Sequence, residues 1–334
     1  MKIIGLDAVL IAFLCFSSCE TEELVPDPTK FYADQTILGE YAIQSIAFDS
    51  KGTAWIGTFN NGLIKYSLTE TVNFDSSNSL VQNDMIWDIA IDSKDNIWIG
   101  GNGLTKYDGT KFTRFTTENS IIPEDVIWAI AIDSEDNVWF SSCRSRSGGI
   151  VKYNGLDFEV FTPDNSELPA NSVEGIAIDS YDNVWLTSFD NTTESSLVRF
   201  ANNQWTVYDG SEYDDPPFIF RKIEIDSNNR IFALHHDMFA TPNHFFGYQG
   251  IFFQENEVER ISLDSTIVFR SATFDNNNRL WAAHYTGYAM YNNESWYITS
   301  DDSYKNGVFT IAIANDNNIW IGTGSGIKII NNKN

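Results

Sequence analysis

The stretch Trp87–Phe115 reads WDIAIDSKDNIWIGGNGLTKYDGTKFTRF. Four short apolar runs, WDIAID, NIWIG, GLTKY and KFTRF, are separated by Asp, Ser, Asn and Gly. Runs of about four to six residues bounded by turn formers predict β-strands, and the tight turns between them predict one small antiparallel sheet. The chain repeats this unit. Its second-strand tryptophan recurs as Trp55, Trp98, Trp139, Trp185, Trp281 and Trp320, with Phe232 in its place once, at intervals of 39 to 49 residues. Self-similarity at a period of roughly 40 to 50 residues, four strands per copy, predicts blades set about an axis. Seven copies predict an all-β, seven-bladed β-propeller of four-stranded antiparallel blades.

The two ends complement one another. The seventh copy, IAIANDNNIWIGTGSGIKII, stops without a fourth strand, whereas Lys30-Phe31-Tyr32-Ala33-Asp34 resembles the fourth strand Lys111–Phe115. The N-terminal strand is therefore expected to pair into the last blade, hiding two sheet edges that would invite aggregation. Residues 30–331 are assigned to a single propeller.

Residues 1–18 read as an export signal. Lys2 supplies a basic start, Ile3 to Phe16 a mostly apolar run, and Phe16-Ser17-Ser18-Cys19 a cleavage site of small residues before a cysteine. The tetrad resembles a bacterial lipobox, with Phe16 where an aliphatic residue is usual, so Cys19 is expected to carry lipid. Residues 19–29, with Glu20, Glu22, Glu23 and two prolines, predict an extended acidic tether. The expected location is the outer membrane of a Gram-negative bacterium, on the cell-surface or periplasmic face. With Cys15 in the leader and Cys19 lipidated, Cys143 alone remains, so no intramolecular disulfide is expected. The formal charge of −25 repels phosphate backbones and argues against a nucleic-acid partner.

Most of the repeated residues read as architecture. A large aromatic in the same strand of every copy belongs to the core between blades. Lys65, Lys106, Lys152 and Arg199, one per copy, read as a snorkelling row. The Asp-Ser-x-Asp/Asn stretches at Asp92 to Asn96, Asp133 to Asn137 and Asp179 to Asn183 suit tight turns whose side chains cap amides. They lack the further ligands and distal glutamate of a calcium loop.

The units IWDIAIDSKDNIWIGGNGLTKYDG and IAIDSEDNVWF…GGIVKYNG resemble the two-component regulator propeller repeat, from about Phe31 to Ile330. That repeat is best known from periplasmic sensor domains of hybrid histidine kinases in polysaccharide-degrading bacteria. Such sensors carry two propellers, a further β domain, a membrane span and a kinase, so the resemblance implies a ligand-binding or interaction module rather than a complete sensor. A second resemblance, to seven-bladed propeller lyases, implies chemistry at the mouth of the central channel, with no motif that transfers residue by residue.

Unequal loops between second and third strands place a site on one face. All four histidines, His235, His236, His244 and His284, fall in those loops of blades five and six. His235, His236, Asp237 and His284 are the nearest approach to a metal set. Their spacing is not that of zinc enzymes, and no metal or cofactor is expected. The position two before each inner-strand Ile-Ala pair, or its equivalent, should face the channel mouth: Gln44, Trp87, Trp128, Glu174, Arg221, Arg270 and Phe309. Aromatics beside arginines suit a sugar, with rings on its apolar face and guanidinium forks on a carboxylate or sulfate. Arg144 and Arg146 add positive charge to that face. The bland alternative has Trp87 and Trp128 plugging the channel and the arginines paired with acids.

The expected function is thus a membrane-anchored module binding a glycan, possibly anionic, or a partner protein through Trp87, Trp128, Glu174, Arg221, Arg270, Arg144 and Arg146. The alternative is a lyase or hydrolase using His235, His284, Tyr285 and Arg270.

Overall fold

A computed structural model describes residues 35–81, 85–144, 147–189, 195–208, 220–235, 250–254, 257–261, 267–292, 295–300, 304 and 306–332. Among them, 28 strands form seven four-stranded antiparallel sheets. Six blades are continuous in sequence, spanning 43–74, 88–115, 130–161, 172–208, 220–261 and 269–300. Blade seven takes its inner three strands from Val308–Ile313, Ile319–Thr323 and Gly326–Ile330, and its outer strand from Gln35–Ile37. The N-terminal strand therefore closes the ring, with Gln35 opposite Ile329 and Ile37 opposite Ile327. It lies just beyond the expected Lys30 to Asp34, which falls outside the described residues, as do the leader, Cys19 and the tether.

The repeated tryptophan is core for two physical reasons. Its ring meets an aromatic of the third strand in the next blade: Trp55 on Tyr107, Trp98 on Tyr153, Trp139 on Phe200, Trp185 on Phe253 and Trp320 on Tyr66, with centroids 5.5 to 6.0 Å apart. Such pairs add to plain area burial. Its indole N–H also donates to the first aspartate of the preceding turn, Trp55 to Asp49, Trp98 to Asp92, Trp139 to Asp133, Trp185 to Asp179 and Trp281 to Asp275, at 2.9 to 3.1 Å. A buried N–H left unmet is costly, so tryptophan and aspartate form a unit. Blade five, with Phe232, keeps the charge balance differently: Arg230 Nε donates to Asp226 at 2.7 Å. The basic row lies over the rings, with Lys106 on Trp98, Lys152 on Trp139 and Arg199 on Trp185 at 5.1 to 5.6 Å.

The turn motif does more than cap its own amides. Its fourth residue stands at φ of 58–65° in Asp95, Asp136, Asp182, Asn229, Asn278 and Asn317, a left-handed conformation that Asp and Asn tolerate better than most residues. From there each side chain accepts an amide of the preceding blade. Ser50 donates to Asp95, Ser93 to Asp136, Ser134 to Asp182, Ser180 to Asn229, Ser227 to Asn278 and Asn276 to Asn317. Six junctions are tied in this way, the first three by carboxylates and the next three by amides.

This division predicts a directional acid response. Hydrogen bonds from Ser50 and Ser134 hold Asp95 and Asp182 below the usual carboxylate range, and Lys94 with Ser93 holds Asp136 at about 2. Stability from a depressed carboxyl is present above about pH 4 and is lost as pH falls through its folded value. Acid should therefore loosen blades one to four first. The triple variant D95N/D136N/D182N is expected to flatten the acid limb of a Tm–pH curve, and an unaltered limb would rule this out.

Candidate functional site

Each inner strand begins on the face where the second strand ends, because the two run antiparallel. Ile43 lies opposite Thr58, Phe220 opposite His235, Phe269 opposite His284 and Val308 opposite Thr323. At that start the ladder skips one residue in five blades, and the skipped residues are Gln44, Glu174, Arg221, Arg270 and Phe309. A bulge leaves a residue unpaired and re-aims its side chain. In blades two and three Trp87 and Trp128 precede the paired run; their amides donate to the Gly100 carbonyl and to Ser141 Oγ, each at 2.9 Å. All seven residues expected at the mouth thus share one level of the ring. The bulge is the device that sequence reading missed.

Neighbours round this ring touch. Trp87 and Trp128 pack with centroids 4.3 Å apart and planes tilted by 44°. The Arg270 guanidinium lies 5.0 Å from the Phe309 ring and 5.4 Å from that of Tyr285, which is 58% exposed. Two rings thus hold one cation in place while leaving its in-plane donors for an acceptor. Among the described residues the ion pairs are Lys65–Glu70, Lys94–Asp136, Arg230–Asp226 and Arg279–Asp275, and none involves Arg270.

Below the mouth the channel contains charges that sequence reading did not single out. A cavity of about 300 Å³ is lined by Trp128 and Glu174 together with Asp88, Lys222 and Glu224. A second, of about 320 Å³, runs along blades one, six and seven and shares those same three charged residues. Asp88 and the Lys222–Glu224 pair therefore reach across the channel from blades two and five and divide it lengthwise. Asp88 Oδ2 accepts the Ile130 amide at 2.8 Å, bonding blade two to blade three. Burial raises the Asp88 carboxyl above its ordinary range, against the pull of Lys222. Burial, with the Asp88 charge adding to it, pushes Glu224 up to about 7. The signal was present in the strand columns. Where other inner strands carry Ser45, Ala129, Gly175, Ser271 and Thr310, these two carry Asp88 and Lys222, and Glu224 stands in a column of Ala and Thr.

The candidate catalytic residues are not equivalent. His235 and His284 both end second strands, at corresponding positions rather than just past them. His284 is 2% exposed; its Nδ1 is 3.4 Å from Thr286 Oγ1, and its Nε2 has no hydrogen-bond partner among the described residues. Burial lowers its pKa, so the ring is neutral. Tyr285 is presented outward and His284 beneath it. Arg144 ends the second strand of blade three, and Arg221 occupies the bulge of blade five. The side chains of Arg144, Arg221 and His235, and all of Arg146, His236, Asp237 and His244, lie outside the described residues.

Residues 79–103, the inner half of blade two with its incoming connection, match the family model described as two component regulator propeller. The chain carries a two-component regulator propeller repeat. Solved structures of similar fold include the extracellular domain assigned to the hybrid two component system BT4673 of B. thetaiotaomicron. It is 17% identical, with a TM-score of 0.70, and the match covers 90% of this chain and 40% of that one. Virginiamycin B lyase from Staphylococcus aureus is 12% identical, with a TM-score of 0.68 over 90% of this chain and 96% of the lyase. YCF48 from Cyanidioschyzon merolae is 12% identical, with a TM-score of 0.61 over 88% and 96%. At these identities the likeness is one of fold. The chain spans 39% to 40% of the B. thetaiotaomicron chains. No curated protein sequence matches it. The ring that holds this repeat thus has a fold that extracellular regulator domains and a lyase also adopt.

Proposed function

We propose that this protein is an exported binding module, lipid-anchored through Cys19 at an outer membrane, whose loop-bearing face takes an anionic glycan. One observation carries the reading: Arg270, clamped between Phe309 and Tyr285 with no carboxylate on it among the described residues, shares the mouth with the Trp87–Trp128 pair. The tryptophans supply the apolar face that a sugar ring stacks on, and the arginine supplies a fork for a carboxylate or sulfate. Arg221, in the bulge of blade five, and Arg144, at the end of a second strand, put two more basic positions at the same end of a protein with a formal charge of −25. Extracellular domains among the similar folds support export.

Calorimetry against uronate-bearing, sulfated and neutral oligosaccharides tests this. Binding of an acidic glycan should fall about 10- to 100-fold in Arg270→Ala, the worth of a charge-assisted bond pair, and weaken with salt. A panel without binders, or binding indifferent to both Arg270→Ala and Trp128→Ala, would remove the glycan reading and leave a partner protein as occupant. The lyase reading is favoured by the Arg270–Tyr285 contact and by the fold shared with virginiamycin B lyase. Against it, His284 is buried and neutral. Turnover of a bound glycan, abolished by Tyr285→Phe, would establish that reading instead.

A further inference from the structure

The mouth site leaves the central channel beneath it unused. Small residues give that channel its width: Ala129, Gly175 and Ala177 wall the cavity below Trp128, and Ala47, Ala272 and Ala312 wall the one beside it. Into this space blade five sends two long side chains. Lys222 and Glu224 stand two apart on one strand, opposite Leu234 and Phe232. Side chains at that spacing point to the same side, about 7 Å apart along the strand.

Neither of the two is matched. The ion pairs among the described residues do not include Lys222, which acts on Asp88 and Glu224 through charge alone. Neither its ammonium nor the Glu224 carboxyl makes a hydrogen bond to a described residue. Asp88 differs, because its Oδ1 accepts the Ile89 amide at 2.9 Å and its Oδ2 the Ile130 amide. On the other side of the three charges lies Ser45, which lines the second cavity. It is 6% exposed, and its Oγ has no hydrogen-bond partner among the described residues. Polar groups left unmatched inside a fold are costly. A cleft that keeps them is a candidate for a ligand that supplies what they lack.

The set of groups selects the chemistry. Asp88 and Glu224 repel an anion, Lys222 repels a cation, and an apolar guest would leave all three unsatisfied. A hydroxyl both donates to a carboxylate and accepts from an ammonium. The Trp128 ring at the top of the cavity offers a face to C–H groups. The volume of about 300 Å³ stands at the small end for ligand pockets, sized for one unit rather than a length of chain.

We propose that the channel beneath the mouth is a second subsite that takes one neutral sugar unit, its hydroxyls shared between Lys222 and Glu224 and its ring face against Trp128. For a glycan held at the mouth, a step that rests on the reading above, the unit that enters is the end of the chain. The cavity runs down the inner strands from Trp128 and Glu174 to Ile178 and Ile225, not across the face.

Methyl glycosides of neutral hexoses and pentoses, titrated into the full chain by calorimetry, test the subsite apart from the acidic glycan. At least one should bind with a Kd of about 1 mM, the affinity expected of so small a ligand. Lys222→Met, which keeps the stem and removes the donors, should weaken it about tenfold. A measurement on the unaltered protein stands beside the variant. Acetylation of Lys222 by acetic anhydride, followed by peptide mass spectrometry, should slow about fivefold under a saturating glycoside, with the exposed Lys51 as the internal reference. A panel with no binder would overturn the inference, whatever acidic glycans do at the mouth. So would binding lost in Arg270→Ala but retained in Lys222→Met, which would place the sugar at the mouth. Glycine or alanine bound more tightly than every glycoside would replace the sugar with a zwitterion.

Discussion

Replacing Glu224 by glutamine raises the melting temperature at pH 8 and leaves it nearly unchanged at pH 5. Burial in the channel, with Asp88 opposite, pushes the Glu224 carboxyl up to about 7 despite the nearby Lys222 charge. A group whose folded pKa is raised supplies stability that is full below its unfolded pKa and is lost as pH rises through the folded value. Between the ordinary glutamate range and about 7, each pH unit costs about 1.4 kcal/mol, so the folded ring has lost about 3 kcal/mol by pH 8. Glutamine keeps the shape and removes the ionisation. It also leaves Lys222 to a single acid, Asp88. For a chain of this size the gain at pH 8 corresponds to about 5 °C. The measurement is Tm against pH for both proteins from 5 to 8.5, and parallel curves would show that Glu224 does not titrate in this window.

Removing the Asp92 side chain should have the opposite sign and similar size. Its carboxylate accepts the Lys94 amide at 3.0 Å, the Asn96 amide at 2.9 Å and the Trp98 indole at 3.0 Å. Asp92→Ala leaves a buried indole N–H and two turn amides without their acceptor, a loss of about 3 to 5 kcal/mol. Trp98→Phe, which removes donor and acceptor need unequally, should cost less than the alanine variant if Lys94 or water reaches the freed oxygen. Blade seven indicates how the loss is accommodated: beside Ala314, Asp316 accepts the Asn318 amide instead, and Trp320 sits further out. Urea midpoints of the full chain measure the effect. An Asp92→Ala protein within about 0.5 kcal/mol of the parent would show that the indole bond contributes nothing.

The ring was legible because the same physical demand recurs in every copy. Two-sided burial, one large aromatic and one turn per blade leave a periodic trace that survives changes in loop length and the replacement of the tryptophan by Phe232 in blade five. Closure was legible from what the seventh copy lacks, although its strand, Gln35–Ile37, lies beyond the residues that resemble a fourth strand. The turn aspartates were readable as local caps only. Their second role joins residues 41 to 51 positions apart, such as Asn276 with Asn317 and Ser227 with Asn278, and nothing local in the sequence encodes that distance. The mouth was predicted as a row of unlike side chains, and the bulges supply the reason they share a level. Asp88 and Lys222 lie one residue beyond the variable column and Glu224 three beyond it, inside the strand whose apolar repeat marks it as core.

The handing of Trp55, Trp98, Trp139, Trp185 and Trp320 to an aromatic of the next blade has a directional consequence. An arc cut between any two of those five junctions ends in an indole with nothing to rest on at one side and a tyrosine or phenylalanine with no indole at the other. Fragments are sticky at both ends, so this architecture accepts longer hairpins on its rim far more readily than the gain or loss of one complete blade.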